Sequence, residues 1–195
     1  VGYMVFYQLD RLLDNPLSLF YIWEGGMAFH GGLVGVIALT WIFAQKHKVA
    51  PLALGDALAP LIPIGLGLGR LGNFIGGELW GRPTDLPWAM VFSKADELAR
   101  HPSQLYQFAL EGILLFVVLW LFSSKPRRRG QVTGLFLLDY GVFRFMVEFV
   151  REPDSHLGFI ALNWMTMGQL LTVPMIAIGV WLLFVWKESP GARIS

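Results

Sequence analysis

Five apolar stretches, approximately Gly26–Ala44, Leu52–Ile75, Ser103–Phe122, Val132–Val150 and Met165–Trp186, limit what this chain can fold into. A helix needs about 20 predominantly apolar residues to cross a hydrocarbon core ~30 Å thick, and each stretch is long enough. Composition points the same way: 55% of the 195 residues are hydrophobic and 15% charged, too apolar for an ordinary soluble domain. The expected fold class is all-α integral membrane, a polytopic transmembrane helix bundle forming one domain over 1–195, with a small outer-face subdomain over 76–102. The sequence begins at Val1 within an apolar run, so it reads as a chain whose beginning is missing, with residues 1–9 as the end of a further helix. A net charge of +1 provides no field for nucleic acid. The absence of cysteine excludes disulfides, thiolate metal sites and a cysteine nucleophile supplied by this chain.

Charge placement sets an orientation. Lys46 and Lys48, Lys125 and Arg127 to Arg129, and Lys187 and Arg193 fall in alternate loops and the tail, eight of the fifteen Lys and Arg residues. The intervening loops hold Arg11, Arg82, Lys94, Arg100 and Arg151 among plentiful Asp and Glu. By the positive-inside rule the first set faces the cytoplasm, and so does the C-terminus. Pro60, Pro63 and the glycines of 65–72 predict a kinked or broken second span, tolerated at membrane depth only where protein buries it or a cavity wets it. Within the outer segment, Leu86–Phe92 suggests a short strand, and Ser103 suggests a cap for the third span.

The polar residues inside the spans are the next signal. Arg70 interrupts the glycine-studded run Gly65-Leu66-Gly67-Leu68-Gly69-Arg70-Leu71-Gly72-Asn73-Phe74. A permanent cation there costs roughly 2.5–3.5 kcal/mol even on a lenient insertion scale, and its natural partner is a lipid phosphate. His30 lies about four residues below the outer end of its span, roughly 6 Å at the helical rise. Arg144 lies about six residues below the outer end of the fourth, roughly 9 Å deep. Tyr140, Arg144, Glu148 and Arg151 form one helical stripe. Polar groups from three spans therefore fall in the outer half of the membrane.

Each has a plainer reading. Arg144 and Glu148 make an i, i+4 pair that helps helices pack; His30 beside Gly31 and Gly32 suits packing too. Gly31, Gly32, Gly35, Gly65 and Gly69 suit close helix approach without chemistry. Asp56, Glu111 and Asp139 read as structural or interfacial, and Arg127 to Arg129 as a topology signal. Gly67 to Gly72 also matches the dinucleotide fingerprint GxGxxG, but inside a transmembrane run the match is accidental.

At these residues the chain resembles the prolipoprotein diacylglyceryl transferase family. Phe29-His30-Gly31-Gly32 looks like its histidine motif, and Gly69-Arg70-Leu71-Gly72-Asn73-Phe74, continuing to Glu78 and Gly81-Arg82, looks like its signature. His101-Pro102-Ser103-Gln104-Leu105-Tyr106 and the Tyr140/Arg144/Glu148/Arg151 helix also match, in order and spacing. Gly76 stands where the family pattern usually has Asn. The family's first span and most of its second are absent from this sequence.

The resemblance implies transfer of a diacylglyceryl group from phosphatidylglycerol to the lipobox cysteine of a preprolipoprotein, releasing glycerol phosphate. It implies a bacterial inner-membrane enzyme with its site toward the periplasmic face. His30, Arg70 and Arg144 become the catalytic candidates, with His30 either taking the thiol proton or orienting substrate. Asn73, Glu78, Gly81, Arg82, Tyr140, Glu148 and Arg151 become substrate-binding candidates: Glu148 to fix Arg144, Asn73 for the lipid head group, Gly81 and Arg82 for the peptide. No metal or organic cofactor is expected. The rival readings are a channel or transporter with Arg70, His30 and Arg144 lining a polar path, and a non-catalytic membrane scaffold.

Overall fold

A computed structural model describes residues 29–152 and 166–187, with the side chains of 29–34 and 167 left aside. The expected helix end over 1–9, Arg11, Arg193 and the side chains of His30, Gly31 and Gly32 lie outside the described residues. Helices occupy all five expected stretches: α1 (Phe29–Lys46), α2 (Pro51–Leu58) with α3 (Ile62–Ile75), α4 (Ser103–Ser123), α5 (Gln131–Glu148) and α6 (Met167–Val180). A π-helical turn over Trp181–Val185 prolongs α6. Among the described residues α4 and Gly168–Val185 are each long and apolar enough to cross a membrane, and α2 with α3 makes a third if the bent pair is one span. α5 carries Asp139, Arg144 and Glu148 within its 18 residues and is correspondingly more polar.

Backbone contacts divide the chain into two compact units, Val1–Leu54 and Gly55–Ser195. In the first, α1 ends in a turn where His47 N–H donates to the Phe43 carbonyl and Lys48 takes φ +54°. Pro51 then opens α2, where its missing N–H costs nothing.

The second unit contains the 49° bend between α2 and α3. The break falls at the prolines: Pro60 lies between the helices and Pro63 in the first turn of α3. The glycines from Gly65 to Gly72 stay helical. Close approach is made elsewhere than expected. Among the described residues nothing comes within 4 Å of a Cβ placed on Gly65 or Gly69, or on Gly35 in the first unit, so none of these three makes a close helix approach there. Gly67 and Gly112 instead bring α3 against α4; a Cβ on Gly112 would lie 2.9 Å from the Gly67 Cα. Gly134 and Gly179 do the same for α5 and α6, where a Cβ on Gly179 would lie 2.6 Å from the Leu138 nitrogen. Sequence shows that a glycine is small, not which face of a helix meets a neighbour.

The apolar core of this unit gathers Ala59, Leu115, Leu119 and Val132, with Phe136, Tyr140 and Phe143 packed against it. Asp56 is structural, as expected: its carboxylate accepts from Gly130 N–H at 2.6 Å, Thr133 N–H at 2.8 Å and the Thr133 hydroxyl at 2.7 Å, satisfying the start of α5. Arg127 Nε donates to the Phe122 carbonyl at 2.8 Å, and Arg128 Nη2 to the Leu183 carbonyl at 3.3 Å, closing helix C-termini. Ser103 does not cap α4. Pro102 holds the cap position and the Ser103 hydroxyl donates to the Leu79 carbonyl at 2.9 Å.

The 76–102 segment holds a two-residue antiparallel ladder, β1 (Met90–Val91) with β2 (Ala99–Arg100), Met90 opposite Arg100. The expected strand over Leu86–Phe92 shrinks to those two residues because Leu86 and Ala89 close a turn. Arg100 ties the ladder down through Asp96 at 2.6 Å, Glu152 at 3.1 Å and the Gly81 carbonyl at 3.1 Å.

Candidate functional site

The contact of Gly67 with Gly112 sets Arg70, one turn further along α3, beside Glu111 of α4. Arg70 donates to Glu111 Oε2 through Nε at 3.2 Å and Nη2 at 3.1 Å. Glu111 is fully buried and its Oε1 has no hydrogen-bond partner among the described residues. Around it α4 widens into a π-helical segment, Phe108–Leu114, a distortion frequent at functional sites.

The end of α5 builds the second half. Arg144 Nη2 lies 2.9 Å from Glu148 Oε2, a close charge contact without hydrogen-bond alignment. Glu148 Oε1 accepts from the Thr166 hydroxyl at 2.9 Å and from Arg151 Nη1 at 3.4 Å. Thr166 is itself fixed by a reciprocal capping box with Gln169 at the start of α6. Gly168 leaves the room: a Cβ there would sit 2.9 Å from the Glu148 carboxyl carbon. The Arg144 guanidinium is therefore held by Glu148 while its Nη1 stays buried without a hydrogen-bond partner among the described residues.

The two halves share one field. Arg144 interacts electrostatically with Glu148, Arg151, Glu111 and Arg70. Tyr140, stacked on Phe136 with ring centroids 5.8 Å apart, lies in the electrostatic field of Glu111, Arg144 and Arg70. Arg70, Tyr140, Arg144, Glu148 and Arg151 thus come together, drawn from α3, α5 and the turn after α5.

The remaining candidates fall differently. Gly81 is buried; its N–H donates to the His101 carbonyl at 2.9 Å, and a Cβ would come within 2.7 Å of the Val150 carbonyl. Arg82 donates through its backbone N–H to Val150 O at 2.9 Å and through Nε to Arg151 O at 3.0 Å. These two residues fasten the 76–102 segment to the end of α5 beside the arginines. Asn73 and Glu78 close the C-terminus of α3, the Glu78 N–H donating to the Asn73 carbonyl at 2.9 Å. None of the described side-chain bonds joins either to the arginine network. His30 is the second residue of α1, with its side chain outside the described residues. No group of three or more His, Asp or Glu among the described residues is arranged to hold a metal.

Sequence reasoning set Glu111 aside as structural and did not single out Gln107. Both are fully buried on the face of α4 that carries Gln104. The signal available was their spacing, i, i+3 and i+7, in an otherwise apolar helix.

Comparison with known proteins comes to the same place. A family model described as prolipoprotein diacylglyceryl transferase matches residues 1–185. The chain is similar to the phosphatidylglycerol–prolipoprotein diacylglyceryl transferase of Chromohalobacter salexigens, with 60% identity over 188 residues, 96% of this chain and 70% of that protein. It is similar to that of Pseudomonas aeruginosa at 58% identity, covering 98% of this chain and 72% of the relative. A Legionella pneumophila relative of the same name is 54% identical over 93% of this chain and 71% of its own length.

Proposed function

The chain belongs to the prolipoprotein diacylglyceryl transferase family, and from that premise we propose a reaction centred on Arg70 and Arg144. It is a membrane transferase that moves the diacylglyceryl group of phosphatidylglycerol to a prolipoprotein. The acceptor in this reading is the thiol of the lipobox cysteine. Its sulfur attacks the glycerol carbon bearing the phosphate ester; the S–C bond forms, the C–O bond breaks, and glycerol phosphate departs with the electron pair. The thiol proton passes to His30, since a neutral imidazole suits general-base work near neutral pH.

Charge developing on the departing phosphate is what the site must stabilise, and prearranged guanidinium donors in a poorly hydrated setting do this well. The observation that carries the reading is Arg144: half-buried and backed by Glu148, its Nη1 enclosed without a hydrogen-bond partner among the described residues, and Arg70 within its electrostatic reach. Tyr140 and Arg151 complete the anion's surroundings, and Asn73 bonds the head group. Gly81 and Arg82 hold the incoming lipobox peptide, and Glu78 supports the substrate site. The enzyme sits in the bacterial inner membrane with its C-terminus in the cytoplasm and its site toward the outer face, taking lipid from the surrounding bilayer. The comparisons lend no support to the transporter alternative.

The test is reconstitution in vesicles with a lipobox peptide. Mass gain of one diacylglyceryl group, dependent on phosphatidylglycerol and lost in Arg70→Ala, is the expected result. Ion flux through the vesicles without any lipidated peptide would overturn it.

A further inference from the structure

Gln104, Gln107 and Glu111 form one face of α4, and all three are fully buried. Gln104 marks the outer end, its Nε2 donating to the Glu78 carbonyl at 2.6 Å. Glu111 marks the inner end, paired with Arg70. Between them four polar atoms have no hydrogen-bond partner among the described residues: Gln104 Oε1, both polar atoms of Gln107, and Glu111 Oε1. Leaving buried polar groups unpaired is costly, and proteins rarely do so without a ligand or ordered water to complete them. Here the unpaired atoms lie on the face of α4 that meets Arg70, within the π-helical distortion and the turn before it.

We infer that this face is the subsite for the free glycerol end of the phospholipid head group, and that it selects head groups with adjacent hydroxyls. The inference rests on the transferase reading and adds to it which residues choose the lipid. Three of the unpaired atoms accept hydrogen bonds and one, Gln107 Nε2, donates. A hydroxyl does both, so two neighbouring hydroxyls can pair with Glu111 Oε1 and the Gln107 amide together. An ammonium offers only donors and leaves Gln107 Nε2 unmet. Gln107 lies four residues along α4 from the Glu111 that Arg70 engages, roughly 6 Å at the helical rise, the distance a head-group glycerol would cover with its phosphate at Arg70.

The experiment compares two lipids in one preparation of the protein. Phosphatidylcholine vesicles carry either phosphatidylglycerol or phosphatidylpropanol, which has the same diacylglyceryl group and phosphodiester but lacks the two hydroxyls. The unaltered protein is expected to transfer from phosphatidylglycerol at least roughly tenfold faster, and Gln107→Leu to bring that ratio close to one. The ratio does not depend on how much of the variant is folded. If Gln107→Leu transfers from neither lipid, the same ratio is read from lipid retained by the detergent-purified protein. A ratio unchanged in Gln107→Leu, or equal use of both lipids by the unaltered protein, overturns the subsite while leaving the transferase standing. Failure of the unaltered protein on both lipids would instead remove the reading beneath it.

Discussion

At the scale of single residues, two carboxylates decide what the arginines can do. Glu111 and Glu148 are buried, and a buried charge persists only when paired. Glu111 engages Arg70 through one oxygen, while Glu148 is shared by Arg144, Arg151 and the Thr166 hydroxyl. Arg144 can therefore lean on Glu148 and still offer its planar fork elsewhere. Arg144→Lys keeps the charge but not the fork, because a compact ammonium cannot hold Glu148 and grip a phosphate at two points. Transfer to a lipobox peptide should fall about 100-fold or more, the scale of losing one transition-state donor, while thermal unfolding changes little. Unimpaired transfer would remove Arg144 from the phosphate. Arg70 and Arg144 were legible in the sequence because a cation amid apolar residues needs a reason. Glu111 was not, since its partner lies 41 positions away and no local spacing links them.

At the scale of elements, the site is aligned by one glycine contact and anchored by one small ladder. Gly112 faces the Gly67 backbone, which has no rotamer to yield. Gly112→Val should force α3 and α4 apart, separate Arg70 from Glu111, and lower the melting temperature together with transfer; overpacking of this kind costs ~1–3 kcal/mol. Gly65→Ala, which meets open space, is the control and should leave the melting temperature unchanged or raised. Equal effects from the two would show that the α3–α4 contact does not set the site. The sequence announced the helices and the proline break, but not which glycines touch, because that depends on rotation about the helix axis. The ladder adds a pH dependence. The hydrogen bond from Arg100 holds the exposed Asp96 carboxyl below its ordinary range. With the folded value depressed, the stabilisation is full above the unfolded pKa of about 3.9 and disappears as pH falls through the folded value. Asp96→Asn should flatten the acid limb of stability against pH. An identical acid limb in both proteins would rule the pair out as its source.

At the scale of the whole molecule, the question is which end of the helices faces which compartment. Along α4 the exposed residues Ile113, Val117, Trp120 and Leu121 are apolar, whereas Gln104, Gln107 and Glu111 are buried. An apolar exposed face with polar residues turned inward is the pattern expected in lipid, where water cannot satisfy them. α4 has 21 residues, and at the helical rise its ends stand roughly 30 Å apart, one hydrocarbon core. The 76–102 segment leads into one end and the Lys125 to Arg129 loop leaves the other, so the two lie on opposite sides if α4 spans. In the proposed orientation the cluster of basic residues keeps the second loop in the cytoplasm, and the first would then face outward together with Gly81, Arg82 and the arginines they adjoin. Cysteine introduced at Glu97 should therefore react with an impermeant maleimide on intact cells. Cysteine at Lys125, like cysteine at Lys46, should react only after the membrane is opened. Both loops labelling from the same side would mean that α4 does not cross. Labelling of Lys125 alone from outside would invert the orientation and turn the arginine site toward the cytoplasm, where no exported lipoprotein precursor would reach it.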